Sequence, residues 1–352
     1  MTNAGPITLA LLAAALFGAA TPASKVLLSG LTPFQLAGLL YLGAALGVAP
    51  GAWREGGLRL PGRSDRLNRI RLLGAVVLGG IAGPVLLLLG LRMADAASVS
   101  LWLNFELAAT AVFGVLFFRE HLGPLGWAGV IASFTGATML SLPGTGTGLE
   151  AAGLVLLACI CWGLDNHLTA LIDGITPGQS TLWKGLAAGT TNLAIGFALD
   201  PLPGGPGLVI TALFVGIWAY GASITLYISA AQRLGAIRAQ IAFASAPFFG
   251  VLLSVLALRE SLAAAQIGSG ALFMIAIGLF AFERHLHSHA HVATEHEHAH
   301  SHDDVHHAHD HQGLPPSDSH AHAHLHEPLV HAHPHWPDLH HRHRHHRGPT
   351  RP

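Results

Sequence analysis

Charged and strongly polar side chains interrupt the long apolar segments of this chain at only a few positions. Those whose types could do chemistry are Lys25, Asn104, Glu106, Asp165, His167 and Lys184. A charge at the centre of a bilayer costs at least about 2.5–3.5 kcal/mol on insertion scales, so a charged residue in such a segment is a candidate for function. We therefore take these residues as candidates for contacting a solute or coupling its movement to an ion.

Glu106 lies near the middle of the apolar segment 96–118. Thr110 is four residues further on, which puts it on the same face of a helix, whereas Asn104 is not on that face. A carboxylate at this depth could carry a coupled proton or contact a solute. It could also form a structural hydrogen bond between helices, and both interpretations stay open.

Asp165 and Lys184 lie nine residues before and ten residues after a turn centred near Gly174. At a rise of 1.5 Å per residue, both are about 14 Å from the turn. Two antiparallel helices would bring them to equal depth, and we predict a structural ion pair. His167 lies about 200° around the helix from Asp165. We interpret it as a histidine in a helix contact rather than as a metal ligand.

The end of the chain carries most of the histidines. Of 26 histidines, only His121 and His167 precede residue 285. In stretches such as HAHAHLH they occupy every second position, so an extended backbone would project them to one side. Neutral imidazole binds Zn, Ni, Cu and Co, and we predict several labile ions. The candidate ligands are His320, His322, His324, His326, His331, His333, His335, His340, His341 and His343.

The tail has too few apolar residues to bury a core, and we expect it to be disordered without a ligand. Three roles for it compete. It could buffer or sense metal, it could act as a pH-sensing polycation, or it could have no part in transport.

The composition indicates which elements must position these residues. The chain is 51% hydrophobic and 11% charged, whereas a soluble domain carries about 25% charged residues. This is typical of a membrane protein with several spans, and no persistent basic face points to nucleic acid. Segments of about 20 apolar residues can cross a bilayer. We predict ten: 7–29, 33–53, 70–91, 96–118, 124–142, 151–173, 177–199, 208–229, 236–258 and 264–283.

The distribution of arginine predicts the orientation of these spans. Residues 54–71 hold six arginines, whereas the loops 143–150 and 200–207 have no Lys or Arg. Because cytoplasmic loops are rich in Lys and Arg, the N-terminus should be cytoplasmic. With ten spans the histidine tail is then cytoplasmic too. In a bacterium this would be the inner (plasma) membrane.

Two polar motifs occur twice in the same order. GLTPFQ at 30–35 matches GITPGQ at 174–179, and Arg119–Glu120 matches Arg259–Glu260. The repeat unit is about 140 residues and five spans. Since five is odd, the second copy must be inverted in the membrane. We predict an all-α membrane protein with two inverted five-helix repeats, 1–143 and 144–283, and a disordered tail, 284–352.

These features together resemble the drug/metabolite transporter superfamily of the EamA type. The resemblance covers residues 7–283 and rests on the aromatic–Gly pairs Phe17–Gly18 and Trp162–Gly163, on Lys25, on the GLTP turn and on the repeated Arg-Glu. It implies a secondary transporter, often an exporter, and makes Lys25 a candidate substrate contact. In one departure, Pro247 of span 9 has Leu107 as its counterpart, so we expect no proline kink in span 4.

We therefore expect a secondary transporter, an exporter of a small metabolite or metal-related solute by alternating access, with a metal-binding tail. The alternative is a Ni, Co or Zn transporter or a metal-storage membrane protein. The chain has no HExxH, GxSxG or P-loop motif, so we expect neither an enzyme nor ATP-driven transport. No cofactor is expected beyond labile Zn, Ni, Co or Cu in the tail. The expected partners are the lipid bilayer and the solute, and a homodimer is left open.

Overall fold

Up to Phe282, the described residues of the computed structural model form an all-α membrane domain with two five-helix repeats. The structure describes residues 4–118, 120–141, 148–201 and 205–282 and, for the backbone only, 286–291, 294–300, 320–326 and 329–334. The first repeat comprises α1 Gly5–Leu27, α2 Pro33–Arg54, α3 Arg66–Met93, α4 Ala96–Phe117 and α5 Pro124–Leu140. The second comprises α6 Leu149–Ala170, α7 Pro177–Leu199, α8 Pro206–Leu234, α9 Ala236–Leu258 and α10 Ala264–Phe282.

Each predicted span coincides with one of these helices. Eight of the described helices are long and apolar enough to cross a membrane. The other two are α5, with 17 residues, and α7, which has 23 residues but carries Lys184 and Asn192. Helices α3 and α8 are longer than predicted, at 28 and 29 residues. Each contains a π-helical segment, at Ala75–Ala82 and Gly216–Ala222.

Three helices are broken part-way. Their segments are Ala4–Gly18 and Ala20–Leu27 in α1, Ala96–Trp102 and Phe105–Phe117 in α4, and Ala236–Phe243 and Ala246–Leu258 in α9. The bend expected near Pro247 is present, and α4 is also broken although it has no proline at the equivalent position. In α4, Asn104 N–H donates to Leu101 O and Glu106 N–H to Leu103 O. These tighter i→i−3 bonds interrupt the α-helical ladder without a proline.

The two repeats share several local structures. A capping box closes the start of α2 through Thr32 and Gln35, and another closes the start of α7 through Thr176 and Gln179. In each box the threonine side chain accepts from an amide of the first turn and the glutamine side chain returns to the threonine amide. Because each repeat has five crossings, the second copy runs upside down relative to the first.

Helices α2 and α7 pack closely along small residues. A Cβ atom on Gly185 would lie 2.7 Å from Tyr41 O, and one on Gly189 would lie 2.8 Å from Leu42 N. Spacing small residues four apart lets the backbones of two helices approach in this way. This contact joins the first repeat to the second.

Successive helices cross the membrane in opposite directions, so the connections between them lie alternately on two membrane sides. We call the side of residues 55–65 the arginine side, and the side of residues 28–32 the opposite side. Contacts between the repeats follow this alternation. On the arginine side Thr176 Oγ1 donates to Glu55, and on the opposite side Gln35 Nε2 donates to Asp200 O at 2.8 Å.

The described segments of the tail form four short strands, β1 Leu286–His291, β2 Thr294–His300, β3 His320–His326 and β4 Leu329–Pro334. β1 pairs with β4 and β2 with β3, both antiparallel. Alternation of His with other residues suits an extended backbone, whose side chains alternate between two faces.

Candidate functional site

A cavity lies between the two repeats. It encloses about 500 Å³ of space not filled by atoms, part of it open to solvent. Helices α1, α2 and α4 of the first repeat and α6 to α9 of the second line it. The lining residues are Phe17, Tyr41, Glu106, Trp162, Asp165, Asn166, Thr169, Lys184, Tyr220, Ile224, Tyr227, Ile228 and Phe243.

The depth of the lining residues shows which way the cavity runs. Glu106 lies at the middle of α4, between its ends at Ala96 and Phe117. Thr169 is one residue from the arginine-side end of α6, and Lys184 is seven residues from the arginine-side start of α7. The cavity therefore extends from the middle of the membrane toward the arginine side.

The ion pair predicted between α6 and α7 is present. Lys184 Nζ lies 2.6 Å from Asp165 Oδ2 and 2.8 Å from Asp165 Oδ1. Both side chains are buried. Neutralising each other is the least costly way for two charges to remain inside a membrane protein.

The π-helical segment of α3 forms the wall behind this ion pair. Gly79 faces the Asp165 carboxylate so closely that a Cβ atom would overlap it. Gly79 O accepts hydrogen bonds from Tyr41 Oη at 2.5 Å and from Trp162 Nε1 at 3.0 Å. A π-helical turn departs from the regular i→i−4 ladder, which leaves carbonyl groups available to side chains.

Glu106 occupies the first turn of the second segment of α4. Its Oε1 accepts a hydrogen bond of 2.8 Å from Asn166 Nδ2. The same amide group lies 3.1 Å from Thr110 Oγ1 and 3.3 Å from Gln240 Oε1. The break in α4 thus directs the partial positive charge of a half-helix N-terminus toward a buried carboxylate.

No lysine, arginine or histidine among the described residues forms an ion pair with Glu106 within 4 Å. Its charge is therefore not compensated in the way that Lys184 compensates Asp165. With Glu106 ionised, the cavity carries one net negative charge. A proton or a cationic solute could neutralise it.

Three of the sequence candidates lie outside the cavity lining. Lys25 Nζ donates to Leu91 O and Ala94 O, both at 2.7 Å, and so closes the C-terminal end of α3 on the opposite side. Asn104 Nδ2 donates to Leu101 O at the break in α4. These contacts account for the Lys25 amino group and for the Asn104 amide N–H, whereas Asn104 Oδ1 is buried without a hydrogen-bond partner.

His167 also has a structural environment. Its Nε2 lies 2.8 Å from Thr110 O, which requires a donating Nε2–H because a carbonyl oxygen only accepts. Its Nδ1 lies 3.4 Å from Glu120 Oε1, and its ring stacks on Phe118 at 4.4 Å. This agrees with the interpretation of His167 as a histidine in a helix contact.

An aromatic wall that was not predicted from the sequence surrounds the cavity. Phe17 lies 6.3 Å from Trp162, 5.6 Å from Tyr220 and 5.4 Å from Phe243 between ring centroids. Tyr227 packs on Phe243 at 5.0 Å. The hydroxyl groups of Tyr220 and Tyr227 are buried without a hydrogen-bond partner. They are therefore available to a bound solute.

The sequence did contain a signal for this wall. The chain has three tyrosines, Tyr41, Tyr220 and Tyr227, and all three line the cavity. Tyrosine in membrane proteins is enriched at the two interfaces. Tyrosines confined to the middle of spans therefore indicate a polar or solvated interior.

Among the residues whose side chains the structure describes, no group of three or more His, Cys, Asp or Glu is arranged to hold a metal ion. The predicted tail ligands lie outside these residues. For His320, His322, His324, His326, His331 and His333 only the backbone is described, and His335, His340, His341 and His343 are outside the described part altogether.

Comparison with known proteins places this architecture among transporters. Residues 5–142 and 149–282 each match the EamA-like transporter family. A relative from Methanothermobacter thermautotrophicus, described as an uncharacterized transporter, is 25% identical over 285 residues, covering 74% of this chain and 81% of the relative. One solved crystal structure superposes with a TM-score of 0.59 at 15% identity, covering 78% of this chain and 96% of that chain, which shows a shared fold.

A second relative is the riboflavin transporter of Rhizobium johnstonii. It is 33% identical over 117 residues, which is 30% of this chain and 39% of the relative. Together the two family matches extend over almost all of α1 to α10. The first match covers the first repeat and the second match covers the second repeat. This chain belongs to the EamA-like transporter family and is an integral membrane transporter.

Proposed function

We propose that this protein is a secondary exporter of a small organic solute that carries a planar ring and a positive charge, in exchange for protons. The observation that carries this proposal is the combination, in one cavity, of an aromatic wall with the Glu106 carboxylate, which has no cationic partner among the described residues. Aromatic faces attract both flat rings and cations. The Glu106 carboxylate would supply the negative charge that complements a positively charged solute.

The exchange follows from the cost of burying a charge. An ionised carboxylate away from water is costly unless it is paired. Either a proton or a cationic solute would neutralise Glu106, and each would displace the other. Mutually exclusive binding at a site that faces the two membrane sides in turn couples the outward movement of one to the inward movement of the other.

Tyr220 and Tyr227 would determine which rings fit. Their unpartnered hydroxyl groups can each donate to and accept from polar atoms on the edge of a solute. The similarity to a riboflavin transporter over 30% of the chain also favours a solute with a flat ring system. A neutral flavin would not need the carboxylate for charge balance, which distinguishes the two solute classes.

Transport by the purified full-length chain in liposomes tests this proposal. The probes are ethidium, a planar aromatic cation, and riboflavin, with a pH-sensitive dye to follow protons. We expect ethidium movement coupled to proton counter-movement, lost in Glu106→Gln. The matched control is Glu150→Gln, an exposed glutamate at the start of α6, which should behave like the native chain.

The outcomes separate the alternatives. Unchanged rate and coupling in a folded Glu106→Gln variant would contradict the role given to Glu106. Movement of riboflavin but not of ethidium, with Glu106→Gln still active, would indicate a neutral ring-bearing solute. Movement of neither probe would contradict the proposed solute class.

For the tail we propose labile binding of Zn, Ni, Co or Cu at the mouth of the transporter, as a buffer or sensor. The observation that favours it is the recurrence of histidine at every second residue in segments such as 320–326. Within a cytoplasmic tail such sites would respond to intracellular metal. The absence of a described cluster of three metal-ligating side chains in the helices favours organic cargo over metal cargo.

Cellular Ni, Co, Zn and Cu content, measured by elemental mass spectrometry, tests the role of the tail. Cells would express the full chain, a truncation after Glu283, or Glu106→Gln. A rise in metal that is lost with the tail but insensitive to Glu106 would support storage or buffering. A change that requires Glu106 would make metal the cargo and contradict the organic solute.

We further propose that the arginine side is cytoplasmic, because residues 54–71 hold six arginines. Both termini would then be cytoplasmic, in the inner membrane of a bacterial cell. Labelling of a single cysteine in place of Ser64 by an impermeant thiol reagent, in a Cys159→Ala/Cys161→Ala background, tests this orientation. Labelling in intact cells would contradict it, whereas labelling only after lysis is expected.

A further inference from the structure

Two glutamates occupy equivalent positions in the repeats, on opposite sides of the membrane. Glu120 follows α4 and Glu260 follows α9, 140 residues later, each after the arginine of the repeated motif. Their backbones are held alike, because Glu120 N–H donates to Gly114 O at 2.9 Å and Glu260 N–H donates to Ser254 O at 3.3 Å. The two carboxylate side chains therefore extend from equivalent backbone positions in the two repeats.

Glu260 caps a helix of the other repeat. Its two carboxylate oxygens accept hydrogen bonds from Ala96 N–H at 2.9 Å and Ala97 N–H at 2.8 Å. These amides belong to the first turn of α4, where backbone donors lack partners within the helix and carry partial positive charge. The contact ties the connection after α9 to the start of α4 and so joins the repeats on the opposite side.

Glu120 makes no such contact in this conformation. The residues equivalent to Ala96 and Ala97 are Ala236 and Ile237, at the start of α9. Glu120 Oε1 instead lies 3.4 Å from His167 Nδ1, and the side chain is 7% exposed. Its Oε2 is buried without a hydrogen-bond partner.

The start of α9 is close to this carboxylate and lacks a side-chain cap. A Cβ atom on Gly114 would lie 2.6 Å from Glu120 Oε2 and 3.2 Å from Ile237 Cδ1. The Glu120 carboxylate and the Ile237 side chain therefore both lie next to Gly114. The N-cap of α9 is Gly235, which offers no side chain, whereas α4 begins with Asp95, whose carboxylate accepts from Ser98 N–H. A buried carboxylate with one unpartnered oxygen thus lies beside a helix start without a side-chain cap.

We propose that Glu120 and Glu260 are alternating caps that determine which membrane side is closed. In the present conformation Glu260 holds the opposite side closed, which fits a cavity that extends toward the arginine side. When the repeats exchange conformations, Glu120 caps Ala236 and Ile237 and Glu260 releases α4. Neither glutamate lines the cavity, so both are positioning residues, and the inference holds for any solute.

Distances between spin labels test this exchange in the full chain in lipid nanodiscs, in a Cys159→Ala/Cys161→Ala background. Labels at Met93→Cys and Ser261→Cys report on the opposite side, and the equivalent pair Arg233→Cys and His121→Cys reports on the arginine side. Removing a cap should change the ratio of the two conformations about fivefold. We expect Glu260→Ala to increase the population with a long 93–261 distance and a short 121–233 distance.

The decisive variant is the double substitution. Adding Glu120→Ala to Glu260→Ala should reverse the shift, because the cap that favours the new conformation is lost as well. No shift in Glu260→Ala, or a further shift in the same direction in the double variant, would overturn the proposal. A glutamate with a merely structural role would not produce opposite effects at the two positions.

Two controls keep the test informative. Glu150→Ala removes an exposed glutamate from the start of α6 and should leave both distance distributions unchanged. Where an alanine variant is not monodisperse, the Glu→Gln variant retains one acceptor oxygen. It should shift the populations in the same direction by a smaller factor.

Discussion

The two repeats have the same framework but different chemistry at the centre. Capping boxes begin α2 and α7, π-helical segments interrupt α3 and α8, and breaks divide α4 and α9. The central charges do not repeat: Glu106 belongs to the first copy, and its counterpart 140 residues later is Ala246. Asp165 and Lys184 belong to the second.

This difference separates two kinds of residue. Features present in both copies support the framework and its inversion, and equivalent changes to them should have equivalent effects. The charged residues of the solute site are each present in one copy only, because a cavity between two inverted copies need not be symmetric. Substitutions at both kinds of residue test this separation.

The largest effect should follow from breaking the ion pair of the second repeat. Asp165→Ala leaves Lys184 buried without a counter-charge, and we expect a loss of about 3–5 kcal/mol in the free energy of unfolding. The combined change Asp165→Lys/Lys184→Asp should recover much of this loss. Denaturant titration of the purified protein measures both. Glu106→Gln leaves no cation unpaired and should be much less destabilising, so an equal loss would contradict the distinction drawn between the two carboxylates.

A smaller loss should follow from filling the space at Gly79. In Gly79→Ala the new methyl group overlaps the Asp165 carboxylate, and overpacking of this kind costs about 1–3 kcal/mol. Thermal unfolding and solute transport should both be impaired. Gly153→Ala in α6, where nothing lies within 4 Å of the added atom, is the matched control. A Gly79→Ala variant as stable as the control would show that the wall behind the ion pair is not tightly packed.

The unpartnered tyrosines should affect solute binding more than stability. Tyr220→Phe and Tyr227→Phe remove buried hydroxyl groups that have no hydrogen-bond partner, so the free energy of unfolding should not fall. Solute affinity should fall about three- to tenfold, the value of one hydrogen bond. Tyr41→Phe is the contrast, because it removes the bond to Gly79 O and should lower stability. Unchanged affinity in both cavity variants would exclude hydrogen bonding of the solute to these groups.

The smallest effects should come from the shared capping boxes. Thr32→Ala and Thr176→Ala each remove a cap worth about 1 kcal/mol. Thr176→Ala should cost somewhat more, because Thr176 Oγ1 also donates to Glu55. Thermal unfolding measures the two losses, and transport by the folded variants should be retained. Loss of transport in only one of them would break the expected equivalence of the repeats.

The charged residues of the site could be predicted from the sequence better than the structure that surrounds them. The Asp165–Lys184 pair could be predicted because equal spacing about a turn fixes equal depth. Glu106 could be predicted as a candidate because its place within an apolar segment is itself informative. The broken form of α4 could not, since neither proline nor glycine marks Leu103 and Asn104. The cap that Lys25 provides depends on carbonyl groups at the end of α3, which no pattern in the sequence indicates.

The central claim is that Glu106 holds either a proton or a cationic solute. The most direct test is the number of protons released when ethidium binds to the purified full-length chain. Calorimetric titrations in buffers of different ionisation enthalpy give this number. We predict release of about one proton per bound ethidium by the native chain and none by Glu106→Gln, by linkage between the two ligands. Ethidium binding without proton release, or equal release by both proteins, would contradict the account.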